Sequence, residues 1–182
     1  MPADYLIVEG KSQDERYLAA VAEFGAAIHR LAGAYEGDPD KRKDLIQDVH
    51  LALWRSLASF DGRCSLRTWG YRVAHNAATS YVIGQQRSRT SRWMSLDEVA
   101  TLADPDEGEN AAGRRHSLDR LLALIQHLKP LDRQVMLSYL EGLDASAIAE
   151  ITGISAANVA TKIHRVKTLL AQRFQEGVRN AE

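Results

Sequence analysis

The sequence predicts an all-α chain: two small helical domains, an N-terminal helical bundle and a C-terminal four-helix domain with a helix-turn-helix, joined by a flexible linker. Three observations carry this. Apolar residues recur at helical spacing through most of the 182 residues. The one strand-like run, Leu-Ile-Val at 6–8, is too short to build a sheet. Residues 86–115 lose the periodicity and hold Pro105, two glycines and an acidic block, a stretch too long for an ordinary internal loop. The boundaries read as 12–90 for the first domain, 91–115 for the linker and 116–177 for the second domain.

The elements follow in order. Residues 16–35 repeat apolar side chains at helical spacing, and Gly37, Asp38 and Pro39 break the run. Residues 40–58 make a second helix with Ile46, Val49, Leu53 and Leu57 on one face. FDGRCS at 60–65 is a loop, and LRTWGYRVAHNAATSYV at 66–82 is a third helix. A short helix is expected near 96–102. Further helices are expected at 117–127, 130–140, 144–151 and 155–175. Pro130 suits a first helical position, Asp144 and Ser155 suit N-caps, and Gly142 and Gly153 suit the breaks.

Composition narrows the function classes. Hydrophobic residues are 45% and charged residues 26%, which is globular rather than disordered. Cys64 is the single cysteine, so no internal disulfide forms, and none of the six histidines pairs with it at a zinc spacing. No metal or other cofactor is expected. The N-terminus lacks a basic start followed by a long apolar run, and no apolar stretch approaches a membrane span; a cytoplasmic protein is expected. The formal net charge is −1, yet the charges are segregated. Residues 63–96 hold six arginines and no acid, residues 97–109 hold six acids and no base, and residues 152–175 hold Lys162, Arg165, Lys167 and Arg173 without an acid. Two basic blocks around an acidic one suggest two anion-binding surfaces and a connector.

The third helix carries a constellation. On a helical wheel Leu66, Trp69, Val73, Ala77 and Tyr81 span an apolar arc with Trp69 at its edge. Arg72, Asn76 and Thr79 form the adjoining polar arc, with Thr68 and His75 beside them. An aromatic plane bordering donors, with no acid, is how single-stranded nucleic acid is held, and FDGRCS would supply a pocket for an unstacked base. From pattern alone, Trp69 as ordinary core is an equal reading. On the second helix Gln47, Asp48, Leu51 and Arg55 lie opposite the core face, with Trp54 at the border. That arrangement reads either as a protein contact or as Trp54 packing on a neighbouring helix.

The stretch LDASAIAEITGISAANVATKIHRVKTLL at 143–170 has helix-turn-helix spacing. A small residue, Ala149, lies near the turn, Gly153 is in it, and Ile154 follows. Val159, Ile163, Val166 and Leu170 make one apolar stripe on the second helix. The opposite arc carries Asn158, Thr161, Lys162, His164, Arg165 and Thr168. Lys and Arg neutralise phosphate; Asn, Thr and His reach base edges. A plain helical hairpin with a solvated face is the simpler alternative.

DLIQDVHLALWRSLASF, then SLRTWGYRVAHNAATSY, then a charged linker, then LKPLDRQVMLSYLEGLDASAIAEITGISAANVATKIHRVKTLL together resemble sigma factors of bacterial RNA polymerase. The absence of other domains resembles the extracytoplasmic-function (ECF) class of the sigma-70 family. The resemblance covers about residues 16–173. It implies that Gln47, Asp48, Leu51 and Trp54 dock on the β′ clamp helices of core RNA polymerase. It implies that the block from Gly62 to Tyr81, with Arg63, Arg67, Trp69, Arg72, Asn76 and Thr79, melts promoter DNA and captures a −10 base. The linker would run toward the RNA path, its acids mimicking nucleic acid. The helix-turn-helix would read the −35 element through Asn158, Thr161 and His164, with Lys162 and Arg165 near phosphates, and would sit on the β flap. Core polymerase, promoter DNA and an anti-sigma factor are the partners implied, with no small-molecule substrate and no catalysis. Family members commonly have Glu where Asp48 stands, an aromatic where His50 stands, Asp where Ser80 stands and Glu where Ala147 stands. Ala160 stands where some members place a base reader, which leaves the promoter sequence open.

Two rival classes remain in view. A stand-alone helix-turn-helix regulator would need a ligand-binding or dimerising first domain and has no use for Trp69, Arg72 and Asn76. An enzyme would need Cys64 as nucleophile and His75 as base, but no third group orients the histidine.

Overall fold

A computed structural model describes residues 12–86, 93–100 and 121–179. The Leu-Ile-Val run at 6–8, Arg87, Arg89, Arg92, the acids from Asp104 to Glu109 and residues 117–120 of the expected helix lie outside the described residues. Among those described, the regular structure is helical, with one isolated parallel bridge between Met94 and Leu128. The chain divides into two compact units whose main boundary falls between Ser91 and Arg92.

The first unit is a bundle of three mutually packed helices, α1 (Gln13–Tyr35), α2 (Pro39–Ser56) and α3 (Leu66–Gln86). Each start has a local cause. Ser12 Oγ accepts from Glu15 N at 3.2 Å while Glu15 Oε2 accepts from Ser12 N at 2.7 Å, a reciprocal cap that starts α1 before its apolar repeat begins. Asp38 accepts from Asp40 N and Lys41 N, and Pro39 opens α2 where its missing N–H costs nothing. Ser65 Oγ accepts from Thr68 N at 3.0 Å at the head of α3. A single 3₁₀ turn, Leu57–Ser59, closes α2.

The core of this bundle corrects two wheel assignments. On α2 the buried side chains are Leu45, Val49 and Leu53, followed by Leu57; Ile46 is only half-buried. On α3 the inward face is Gly70, Tyr71, Ala74, His75 and Ala78, not the arc of Trp69, Val73, Ala77 and Tyr81, which is half-exposed. The reason is close approach of α1 to α3. A Cβ on Gly70 would lie 2.1 Å from Phe24 Cζ, so the Phe24 ring lies flush on the α3 backbone. Phe24 itself leaves helical geometry (φ −132°, ψ 16°), kinking α1 at the contact. Gly70, Ala74 and Ala78, four residues apart, make the flat strip that this packing needs.

The second unit holds α4 (Leu96–Ala100), α5 (residues 121–127), α6 (Pro130–Leu140), α7 (Ala145–Thr152) as far as Ala149, and α8 (Ala156–Arg179); residues 150–153 group with the first unit. Pro130 stands in the first turn of α6. Gly142 (φ 79°) ends α6 in a Schellman turn: Leu143 N donates to Ser138 O at 3.1 Å and Gly142 N to Tyr139 O at 2.9 Å. Asp144 Oδ1 accepts from Ala147 N at 2.8 Å and Ser155 Oγ from Asn158 N at 3.3 Å, so both expected caps are made. Gly153 (φ 75°) forms the turn between α7 and α8. Ile125, Leu128, Met136, Ile148, Val159 and Val166 are buried in this unit, and the buried Arg133 guanidinium donates to Leu128 O and Gln126 O, fixing the α5–α6 connection. Trp93–Ala100, within the stretch expected as linker, belongs to this unit: Met94 N donates to His127 O at 2.8 Å and Lys129 N to Met94 O at 2.7 Å.

Candidate nucleic-acid interface

Three surfaces gather the residues singled out from sequence. On α2, Gln47, Asp48, Leu51, Trp54 and Arg55 are all exposed, Leu51 by 46% and Trp54 by 38%. An exposed leucine and tryptophan on one helix face are groups that a folded chain alone gains nothing by showing to water. Trp54 is nevertheless fixed: its Nε1 donates to Asp14 Oδ1 at 2.7 Å, and its carbonyl accepts from Gln13 Nε2 at 2.8 Å. Trp54 is therefore anchored on the neighbouring helix α1 and still open outward.

On α3, Trp69 is half-exposed and held from three sides. Its Nε1 donates to Ser56 Oγ at 3.0 Å, Phe60 meets it edge-on with centroids 5.4 Å apart, and the Arg72 guanidinium lies 4.7 Å from its ring. Phe60 is the first residue of the FDGRCS loop, in which the sequence pattern singles out no one side chain. Arg67 lies over the Tyr71 ring at 5.7 Å, Asn76 is exposed, and Thr79 Oγ1 is 3.5 Å from the Tyr35 hydroxyl. Arg63 is exposed and paired with Asp61 at 2.6 Å; the Arg63 backbone N–H, and then its charge, hold the Asp61 carboxyl below the usual range.

His75 and Thr68 do not belong to this strip. Thr68 is buried at the helix start. His75 is wholly buried; its Nδ1 is 3.1 Å from the Tyr35 hydroxyl, and the Tyr35 and Tyr71 rings flank it. The wheel misplaced it because the small residues that set the true inward face carry little hydrophobic weight. With His75 in the core, and burial pushing the Cys64 thiol up rather than toward thiolate, the cysteine–histidine pair lacks what nucleophilic catalysis requires.

On α8, Asn158, Ala160, Thr161, His164, Arg165, Lys167 and Thr168 are exposed, while Val159, Val166 and Leu169 are buried. Leu169 takes the core position expected of Leu170, which is half-buried. The hydroxyls of Thr161 and Thr168 donate back to Ala157 O and His164 O at 3.1 Å. Lys162 is the correction here. It lies on the inward side of the helix, half-buried, with its ammonium on the buried Asp132 of α6. A lysine neutralised in this way is a strut between α6 and α8, not a ready phosphate ligand. Arg165 is half-exposed and sits 3.2 Å from Asp97 of α4.

Comparison with known proteins follows these two units. The Sigma-70 region 2 family matches residues 20–88, and the Sigma-70 region 4 family matches residues 118–170. The chain is 31% identical over 133 residues to the RNA polymerase sigma factor YlaC of Bacillus subtilis, covering 72% of this chain and 76% of that one. It is 29% identical over 140 residues to the ECF RNA polymerase sigma-E factor of Haemophilus influenzae, covering 72% and 74%. Among solved structures, the fold matches CnrH in complex with the cytosolic domain of CnrY, at a TM-score of 0.63 and 20% identity over 95% of both chains. It also matches the sigma factor RpoE in complex with the anti-sigma factor NepR from Bartonella quintana, at a TM-score of 0.62 and 18% identity over 85% of this chain and 94% of that one.

Proposed function

The chain belongs to the sigma-70 family, as a sigma factor of the ECF class, and from that premise we propose how its surfaces divide the work. It directs core RNA polymerase to specific promoters and starts transcription there. Sigma factors have no reaction of their own; the chemistry is the polymerase's. A stand-alone regulator is not favoured, because the first unit matches region 2 rather than a ligand-binding or dimerising module.

The exposed face of α2, with Gln47, Asp48, Leu51 and Trp54, docks on the β′ clamp helices, the two apolar side chains supplying the anchor. Trp69 forms a wall for a base unstacked from the −10 element. Arg72 and Asn76 follow the strand's phosphates and base edges, Thr79 stands at the far end of the strip, and Arg63 and Arg67 add charge from the loop side. The observation that carries this is the mounting of Trp69: Phe60, Ser56 and Arg72 hold its indole while it remains half-exposed, as a preformed stacking plate must be. On α8, Asn158, Thr161 and His164 face the major groove at the −35 element and Arg165 reaches phosphate, while Lys162 braces the helix. The same unit sits on the β flap.

An anti-sigma factor holds the free protein, and the site of action is the cytoplasm. Among the described residues no helix is long and apolar enough to cross a membrane. The test is capture by core polymerase followed by transcription from a candidate promoter. Replacing Leu51 and Trp54 together by Ala is expected to weaken capture at least about thirtyfold, roughly 2 kcal/mol. Capture unchanged by that double substitution, with helix content preserved, removes α2 as the docking face. No capture of the wild-type chain overturns the whole reading.

A further inference from the structure

The segment Trp93–Ala100 is docked on the second unit through its backbone, its apolar side chains and one ion pair, and is capped from within. Its backbone is pinned at Met94 by two hydrogen bonds, to His127 and Lys129. Leu96 and Val99 are buried, at 3% and 0% exposure. Ser95 and Glu98 cap each other, Ser95 N donating to Glu98 Oε2 at 2.7 Å and Glu98 N to Ser95 Oγ at 3.3 Å. Helix α4 lies against α8, where Asp97 Oδ2 accepts from Arg165 Nη1. The apolar pair holds the segment down, and the outward acid is thereby delivered to one cation of α8. Glu98, 4.0 Å from Lys129, faces a different partner.

We propose that α4 is an intramolecular cover for one cation of the DNA-reading helix: Asp97 occupies Arg165 in the free protein, and duplex DNA must displace it before Arg165 can engage a phosphate. This rests on the reading of α8 as the DNA-reading helix. A carboxylate at hydrogen-bond distance is the same class of ligand as a phosphate oxygen for a guanidinium, so the two compete for one site. Binding of duplex therefore includes breaking an exposed ion pair, which costs little enough for the contact to be reversible.

The experiment measures binding of the full chain to a random-sequence DNA duplex by fluorescence anisotropy across a salt series. Four proteins are compared: wild type, Asp97→Asn, Arg165→Ala and the double variant. Asp97→Asn is expected to tighten binding about threefold, the cost of breaking the exposed pair being removed, with the log–log salt slope unchanged because Arg165 reaches the same phosphate in both complexes. The gain must vanish in the Arg165→Ala background, because a mere loss of negative charge would persist there. A gain that persists overturns the cover, as does Asp97→Asn binding no tighter than wild type while Arg165→Ala weakens binding. If Arg165→Ala changes binding in neither background, and Thr161→Ala with His164→Ala also leaves promoter transcription unchanged, the DNA-reading assignment of α8 fails, and the cover falls with it.

Discussion

Trp69 shows what a single side chain contributes. Its ring is held by an edge-on phenyl, an indole hydrogen bond and a guanidinium, so little rotamer freedom remains to be lost when a base stacks on it. Trp69→Ala is expected to slow promoter opening about tenfold or more, from the loss of one base-stacking contact, while capture by core polymerase changes little. Permanganate footprinting of the melted region, set beside a core pull-down, checks this; equal loss in both assays with reduced helix content would make Trp69 a core residue. His50 carries a different kind of consequence. Burial, and then the charge of His29, hold it below its ordinary value of 6.5, and its Nδ1 is 2.9 Å from the Tyr17 hydroxyl. The native state thus binds fewer protons than the unfolded chain just below that value, so stability is full above it and falls as pH drops through the native pKa. Urea midpoints at about pH 7.5 and about pH 5.5 are expected to differ less in His50→Gln than in wild type, a narrowing that should appear without loss of helix content.

At the scale of the element, the fit of α1 on α3 is the tightest constraint in the first unit. Gly70→Ala puts a methyl group where the far end of the Phe24 ring already lies, so the ring, packed among Ile28 and Leu31, must move. A loss of about 1–3 kcal/mol in unfolding free energy is expected, measured by urea denaturation. Phe24→Leu in the same background should recover part of it, since the leucine side chain is shorter and can repack; a neutral Gly70→Ala would mean that α1 and α3 lie further apart than the ring contact implies. The pattern of large apolar residues could not reveal this face. Trp69, Val73 and Tyr81 carry far more apolar side-chain area than Gly70, Ala74 and Ala78, yet the small residues are those that let two backbones meet. The same blindness placed Lys162 outward on α8: its charge argued for solvent, and only Asp132 on α6, 30 residues away in the chain, turned it inward. By contrast, the caps at Asp144 and Ser155 and the turns at Gly142 and Gly153 were legible, because each is decided within one helical turn.

Over the whole molecule, two units with separate cores carry the two helices proposed to face DNA, α3 and α8. Recognition divided between two promoter elements makes their spacing part of the signal. Inserting about five base pairs, half a helical turn, between the −10 and −35 elements is expected to reduce transcription from a mapped promoter strongly, by turning one element to the far face of the duplex. A full-turn insertion should not restore it if polymerase fixes the separation. Transcription indifferent to the half-turn insertion would mean that one of the two units does not read DNA. A net charge of −1 gives no hint of this arrangement, whereas the segregation of arginines and acids along the chain does.

The sequence by itself determined the all-helical class, the two blocks and their order, and the family. All of these follow from local periodicity, from capping and turn residues, or from motifs contained in single segments. Only the tertiary structure decided which arc of α3 turns inward, that His75 is sequestered by Tyr35, that Phe60 backs Trp69, and that Asp132 and Asp97 take up two of the cations on α8. Each of these depends on a partner outside the helix's own repeat, brought up by packing: a small residue, an aromatic ring or an opposite charge that the periodicity of one helix does not reveal.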